Sequence, residues 1–186
     1  MARMFSLAEV AAATSADLTG GGSRAAIRSV ATDSRAVKKG ALFFAIPGPR
    51  FDGHDFLPQV IDQGAAAMVV SDPAARAYAD RCPVLLVPDT VQALGRLAGA
   101  YRRRFAIPVI AITGSAGKTT TKDLVTAVLR TRYRVLSNHG TQNNQIVVPL
   151  TLLQLRPRHE LLVVELGTNR PGDIPWLTGI VRPDVA

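Results

Sequence analysis

The sequence predicts an α/β protein in two parts, a mixed α/β unit over residues 1–88 and a parallel-sheet unit over residues 89–186. Three observations lead to this class. Short apolar runs typical of buried strands alternate with helix-like segments, a glycine-rich loop follows one of these runs, and the alternation becomes regular after Pro88. Such alternation implies a parallel sheet whose ligand site lies at the carboxyl ends of its strands.

Elements of the first unit can be placed one by one. Ser6 and Glu9 have the spacing of a capping box, which predicts a helix from about Leu7 to Thr14. Turn residues then delimit the remaining elements. We expect strands at 27–32, 41–46, 67–70 and 84–87 and helices at 56–63 and 73–80.

In the second unit, Asp89 is a suitable N-cap for a helix that extends to about Arg104. We then expect strands at 109–112, 134–137 and 161–166 and helices at 119–130 and 148–155. The last residues, 182–186, resemble the beginning of a further buried strand. We therefore expect the chain to be a truncated part of a larger protein.

Composition limits the possible classes. The chain has 186 residues, of which 47% are hydrophobic, so it can bury a substantial core. No stretch approaches the roughly 18 consecutive apolar residues that span a bilayer, and the N-terminus lacks a secretory apolar segment, so we expect no membrane insertion and a cytoplasmic location. The single cysteine, Cys82, is expected to be a small buried packing residue.

The net charge is +8, with basic clusters at Arg102–Arg104 and around Arg130–Arg134. Such a balance suits nucleic acid or an anionic small substrate. Cations at the end of a helix also offset its dipole, and no aromatic stacking platform alternates with these arginines. We therefore expect Arg102–Arg104 to be a solvated helix end and expect no nucleic-acid partner.

The loop Thr113–Thr119, with the sequence T-G-S-A-G-K-T, lies between an apolar strand and a helical segment. Glycines let backbone N–H groups face phosphate oxygens, the following helix adds its positive end, and Lys118 adds a mobile charge. The hydroxyl of Thr119 is placed for Mg²⁺. Since Ile112 stands where the longer motif has glycine, this is a shorter variant of the phosphate loop. The alternative is a glycine turn that precedes a lysine by chance.

Glu165 ends the apolar strand that begins at Leu161. In a parallel sheet that carries a phosphate loop on a nearby strand, a carboxylate at this end faces the metal of a bound nucleotide. Glu165 is therefore the first candidate metal ligand, and the alternative is a strand-end glutamate in solvent. Asp123 and Asp173 are weaker candidates, better interpreted as a helix-surface charge and a helix cap.

Three segments of the second unit and three of the first, taken in order, resemble the Mur ligase family. The segments of the second unit are 113–122, 141–149, and 164–169 with 172–174, and those of the first are 32–35, 40–45 and 51–56. The resemblance extends over nearly the whole chain. It implies a uridine-nucleotide-binding domain at 1–88 and part of an ATP-binding central domain at 89–186.

What the resemblance implies is an ATP-dependent, ADP-forming ligase that uses Mg²⁺, and we expect it to be a monomer. It would join D-Ala-D-Ala to UDP-MurNAc-tripeptide through an acyl phosphate. Lys118 would stabilise the transferred phosphoryl group, Thr119 and Glu165 would hold Mg²⁺, and Thr113–Thr120 would bind the nucleotide. The family's carbamylated lysine, adenine contact and C-terminal domain would lie beyond Ala186, so the chain alone is expected to bind substrate without turnover.

The resemblance also implies contacts with the UDP substrate. The implied residues are Ser34, Arg35, Gly53, His54, Thr141, Asn143 and Asn144. A forked guanidinium suits pyrophosphate. Alternatives are a local cap for His54 and an asparagine-rich turn for the two asparagines.

Other functions remain open at this point. They are the diamino-acid addition step of the same family, a phosphate-loop kinase or GTPase, and a non-catalytic UDP-sugar-binding module. A GTPase would need a guanine-specific N-K-x-D sequence, which the chain lacks. The residue at the third position of the peptide substrate is not specified by these motifs.

Overall fold

The computed structural model describes residues 3–20, 26–140, 143–168 and 170–186. The chain divides into two compact units, Met1–Leu97 and Ala98–Ala186. The division falls inside the helix Thr90–Arg102, on the C-terminal side of the boundary expected near Pro88.

A five-stranded sheet forms the first unit. Its strands are β1 (Asp17–Thr19), β2 (Ser29–Ala31), β3 (Ala41–Phe44), β4 (Ala67–Val70) and β5 (Val84–Leu86), in the spatial order β1-β5-β4-β3-β2. All neighbours are parallel except β1, which pairs antiparallel with β5. Strands β3 and β4 are buried along their whole length, which explains their continuous apolar sequences. Strand β1 was not expected.

Helices α1 (Leu7–Thr14) and α2 (Leu57–Asp62) belong to the first unit, and helix α3 (Thr90–Arg102) extends across the division. The capping box of α1 is confirmed, since the Ser6 hydroxyl accepts from the Glu9 N–H at 3.2 Å and the Glu9 carboxylate accepts from the Ser6 N–H at 2.6 Å. The cap of α3 is confirmed too, because Asp89 accepts from the Gln92 N–H at 2.9 Å. Instead of the expected α-helix at 73–80, Pro73–Tyr78 forms a 3₁₀ helix.

Cys82 packs in the core of the first unit with Phe43 and Met68. It is 2% exposed, and its Sγ lies 3.6 Å from the carbonyl oxygen of Ala65. Burial raises the pKa of the thiol to about 11, which keeps it protonated. The expected packing role is confirmed.

Three parallel strands form the second sheet. They are β6 (Val109–Ile112), β7 (Val135–Ser137) and β8 (Leu161–Glu165), in the spatial order β6-β8-β7, with helices α4 (Lys118–Arg130), α5 (Val147–Leu152) and α6 (Asp173–Val181). The predicted parallel sheet is confirmed. Within the described ranges, none of the helices is both long and apolar enough to cross a bilayer.

The strand order determines where the second unit can build a site. Strand β8 is last in sequence but central in the sheet, so the carboxyl ends of β6, β8 and β7 are neighbours. Ile112, the last residue of β6, pairs with Glu165, the last residue of β8. The glycine-rich loop therefore begins beside the glutamate.

Arg102 corrects one expectation about the basic clusters. Its side chain is 8% exposed, and its guanidinium donates to the carbonyl oxygens of Phe105 at 2.6 Å and Ile107 at 3.1 Å. Burial lowers its pKa from the ordinary value, and Asp184 opposes that shift. The expectation of a solvated helix end is wrong for Arg102, because the chain turns back over the end of α3 and uses the guanidinium to satisfy its carbonyls.

Candidate functional site

The loop after β6 has the backbone of an anion-binding turn. Gly117, with φ of +74°, is the N-cap of α4, and Gly114 has φ of +143°. Glycine adopts such angles without the strain that a side chain would add. Among the described residues, no side chain caps this end of α4. The first N–H groups of the helix therefore point toward a position suited to an anion.

A cavity of about 370 Å³ lies over this loop. It is lined by Ser115, Ala116, Gly117, Lys118, Thr119, Thr120, Asn143 and Glu165. Thr113 and Gly114 lead into it. The ammonium of Lys118 donates to the Gly114 carbonyl at 2.7 Å, so the lysine rests on its own loop and lies at the cavity wall.

Glu165 is buried at the end of β8, with 1% of its surface exposed. One carboxylate oxygen accepts from the Thr119 hydroxyl at 2.8 Å, and the other accepts from the Asn143 amide at 2.7 Å. The alternative of a glutamate in solvent is therefore wrong. Because both of these partners are neutral, a cation in the cavity would offset the cost of burying the carboxylate.

The oxygen atoms of Thr119 and Glu165 suit Mg²⁺, which prefers hard oxygen ligands. Across the described ranges there is no group of three or more histidine, cysteine and acidic side chains that could hold a metal alone. This agrees with the usual mode of Mg²⁺ binding, in which one or two protein oxygens are joined by substrate phosphates and water.

The two asparagines after β7 have different surroundings. Asn143 lines the cavity and contacts Glu165, whereas the side-chain oxygen of Asn144 accepts from the N–H groups of Ile146 at 3.0 Å and Val147 at 2.9 Å. The Asn144 side chain therefore closes the turn that leads into α5. Thr141 lies outside the described residues.

Gly167 allows Asn143 to reach Glu165. A Cβ atom at Gly167 would lie 2.2 Å from the Asn143 side-chain oxygen, far inside van der Waals contact. The Gly167 N–H also donates to the Asn143 carbonyl at 2.9 Å. The absence of a side chain at Gly167 is thus a condition for the geometry at Glu165.

The two weaker acidic candidates do not line the cavity. Asp123 is exposed on α4, as expected. Asp173 is buried, and its carboxylate accepts from the Gln145 amide at 2.6 Å and from the Arg170 N–H at 3.0 Å. Gly172 is the N-cap of α6, so the expected cap role of Asp173 is wrong, and this residue joins two loops instead.

Sequence reasoning missed Lys122 and Asn138, which lie behind the cavity. The Asn138 amide bonds to the backbone of Glu165, and the buried Lys122 ammonium bonds to the Asn138 carbonyl. Two signals were present. Lys122 follows Thr119 by three residues and so shares its helix face, and Asn138 comes directly after β7.

A second cavity, of about 440 Å³, lies in the first unit. Its lining consists of Thr32, Asp33, Ser34, Arg35, Phe43, Ile46, Phe51, Gly53, Phe56 and Gln59. The Arg35 side chain is 85% exposed and pairs with Asp33 at 2.8 Å. The hydrogen bond from the Arg35 side chain, the largest cause, lowers the pKa of Asp33 to about 2.

His54 does not line this cavity. Its Nδ1 lies 2.6 Å from Asp52, and its Nε2 accepts from the Ser71 N–H at 2.9 Å. Since Nε2 accepts, the ring proton lies on Nδ1. Both nitrogens thus join the turn at Gly53–Phe56 to the end of β4. The ligand contact expected of His54 stays a prediction.

A phosphate loop on a parallel sheet, facing a buried carboxylate at the end of the adjacent strand, defines the second unit as a nucleotide-binding unit of the P-loop class. Residues 112–186 match the model of the Mur ligase middle domain, and residues 26–102 match that of the Mur ligase family, catalytic domain. The chain belongs to the Mur ligase family.

Three curated relatives are each named UDP-N-acetylmuramoyl-tripeptide–D-alanyl-D-alanine ligase. The chain is 42% identical to that of Synechocystis over 159 residues, 43% identical to that of Bacillus subtilis over 160, and 42% identical to that of Escherichia coli over 158. These matches cover 85–86% of the chain but only 34–35% of the relatives. The chain thus spans about a third of their length.

Solved structures agree with this. MurF from Acinetobacter baumannii is 36% identical, with a TM-score of 0.87 over 96% of this chain and 39% of that one. MurF from Thermotoga maritima, solved in complex with ADP, is 36% identical, with a TM-score of 0.78 over 86% of this chain and 36% of that one.

Proposed function

We propose that the chain supplies the first and central parts of an ATP-dependent, ADP-forming ligase that joins D-Ala-D-Ala to UDP-MurNAc-tripeptide during peptidoglycan synthesis. The observation that carries this proposal is the buried Glu165 carboxylate, held by Thr119 and Asn143 beside the phosphate loop. The 42–43% identity to relatives of that name supports the choice of substrate. The monomeric state and the cytoplasmic location remain predictions.

In the proposed reaction, the substrate carboxylate attacks the γ-phosphorus of ATP, forming an acyl phosphate and releasing ADP. The amine of D-Ala-D-Ala then attacks the acyl carbon, an amide forms, and phosphate and a proton leave. Lys118 is free to leave the Gly114 carbonyl and contact the transferred phosphoryl group, whose charge it would stabilise. Thr119 and Glu165 would hold Mg²⁺, which when bound neutralises phosphate charge.

The experiment is ligation by full-length protein that contains this sequence. ATP and UDP-MurNAc-tripeptide are supplied with D-Ala-D-Ala, with a diamino acid, or with no amine, and ADP and product mass are measured. Product formed only with D-Ala-D-Ala supports the proposal. A parallel reaction contains the corresponding UDP-MurNAc-dipeptide and a diamino acid, and product formed only in that reaction would assign the other step of the family.

A second candidate concerns the chain by itself, as a module that binds UDP-sugar and nucleotide without turnover. The cavity at Thr32–Arg35 favours it, because this cavity lies wholly within the first unit. Calorimetry of the chain with UDP-MurNAc-tripeptide and with ATP, each alone, tests this. We expect both to bind, and phosphate release with all substrates present to be absent. A kinase would bind ATP and ignore the UDP substrate.

A further inference from the structure

Lys122 is a buried charge that the proposed chemistry does not use. It lies on α4, three residues after Thr119, with 1% of its surface exposed, and it does not line the cavity. A buried ammonium is costly unless acceptors surround it. The ammonium donates to the carbonyl oxygens of Asn138 at 2.9 Å and Gly140 at 3.1 Å and forms an ion pair with the Asp123 carboxylate at 3.1 Å.

The contact with Asn138 leads directly to Glu165. Strand β7 ends at Ser137, which pairs with Val163, so β8 continues beyond its neighbour. The Asn138 side chain, 2% exposed, takes the place of the backbone hydrogen bonds that a longer β7 would make with β8. Its oxygen accepts from the Glu165 N–H at 2.9 Å, and its amide donates to the Glu165 carbonyl at 3.2 Å.

The other side of β8 is held by β6. Glu165 pairs with Ile112, and the Leu166 N–H donates to the Ile112 carbonyl at 2.9 Å. The Glu165 peptide is thus fixed from both sides. A rotation of this peptide would displace the carboxylate from Thr119 and Asn143, and it is the Asn138 amide that prevents such a rotation on the β7 side.

We propose that Lys122 and Asn138 are positioning residues that set the Glu165 carboxylate for Mg²⁺. This inference rests on the proposed function, since it takes Glu165 and Thr119 to be the metal-binding groups. Helix α4 acts on Glu165 through two of its residues. Thr119 donates to the Glu165 carboxylate, and Lys122 donates to the carbonyl of Asn138, whose side chain bonds to the Glu165 backbone. Groups that orient metal ligands in this way typically change metal affinity or activity by about 10- to 100-fold when they are mutated.

The test compares ADP affinity of the chain with EDTA and with saturating Mg²⁺, measured by calorimetry. The dissociation constant with EDTA divided by the dissociation constant with Mg²⁺ gives the factor by which Mg²⁺ tightens ADP binding. In Lys122→Met and in Asn138→Asp, which loses the donor to Glu165 with almost no change of shape, we expect this ratio to fall about tenfold or more. Affinity with EDTA should change little, because the phosphate loop and Lys118 remain.

Lys38→Met is the matched control, since it removes the same charge from an exposed position in the first unit. It should leave both constants unchanged. Thermal unfolding establishes that each variant is folded, and if Lys122→Met does not fold, Asn138→Asp alone decides. An unchanged ratio in a folded variant would overturn the inference, as would equal weakening with and without Mg²⁺, because that pattern indicates a general structural role.

The outcomes also distinguish a failure of this inference from a failure of the proposed function on which it rests. If Mg²⁺ tightens ADP binding by the same factor in the unmodified chain and in the variants, the positioning role fails and the proposed metal site stands. If Mg²⁺ has no effect on the unmodified chain, the metal site fails and the positioning role fails with it.

Discussion

The cavity at the phosphate loop and the cavity at Thr32–Arg35 are built in opposite ways. At the phosphate loop, the carboxylate of Glu165 is buried and is held by hydrogen bonds from Thr119 and Asn143. In the first unit, Asp33 and Arg35 are exposed and satisfy each other. A site fixed by buried neighbours should respond sharply to small changes, whereas an exposed pair should respond weakly, since solvent screens it.

The largest expected effect is at Lys118. Lys118→Ala in full-length protein should lower ligation about 100- to 1,000-fold, because it removes a charge aimed at the transferred phosphoryl group. Steady-state ADP release measures this, with Lys38→Ala as the exposed control. Turnover near that of the unmodified protein would contradict the assigned role.

Glu165→Gln comes next. The change keeps the shape but removes the charge and replaces one acceptor oxygen by an NH2 donor, although the neighbours of both oxygens are themselves donors. The Mg²⁺ concentration for half-maximal ligation should therefore rise by roughly 100-fold. A Mg²⁺ titration of full-length protein measures it. If the titration curve did not move, the buried carboxylate would be structural.

Gly167→Ala is expected to have an intermediate effect. The added methyl group would displace the Asn143 side chain from Glu165, at a cost of about 1–3 kcal/mol as for other overpacked sites. The Mg²⁺-dependent gain in ADP affinity should fall, and calorimetry checks it. Gly179→Ala on α6 is the control, because a Cβ there meets nothing within 4 Å. Equal behaviour of the two variants would show that Asn143 does not matter for the metal.

In the first unit, Arg35→Ala should weaken binding of UDP-MurNAc-tripeptide by about tenfold, the loss expected for one exposed charge-assisted contact. Calorimetry on the chain measures it. Arg96→Ala removes the same charge from an exposed position on α3 that does not line the cavity. A loss as large in Arg96→Ala would indicate a general effect of charge.

The smallest effect concerns acid stability. The folded pKa of Asp33 is about 2, below the ordinary value of 3.8, so the carboxylate stabilises the folded state above about pH 4, and this contribution is lost as the pH falls toward 2. Arg35→Gln should therefore flatten the dependence of the melting temperature on pH in that window. An unchanged slope between pH 4 and pH 2 would mean that the pair does not persist in solution.

Much of this protein could be predicted from local sequence. The capping box at Ser6, the cap at Asp89, the apolar run at β4 and the loop at Gly117 each depend on residues a few positions apart, and each formed where it was expected. Family motifs also identified Lys118 and Glu165 as the residues to test. Local patterns carry this information because helix caps, strand burial and phosphate loops are built from contiguous residues.

Tertiary structure decided the rest, because it brings together residues that are far apart in the chain. Strand order placed Glu165 beside Ile112 and so made a strand-end glutamate a buried one. Long-range packing also placed the Asn138 side chain against the backbone of Glu165 and brought His54 to the Ser71 N–H. The Arg102 guanidinium became buried where it donates to the Phe105 carbonyl. The sequence alone determined which residue types could serve a nucleotide; only long-range packing, which sets burial and hydrogen-bond partners, determined which of them are fixed at the site.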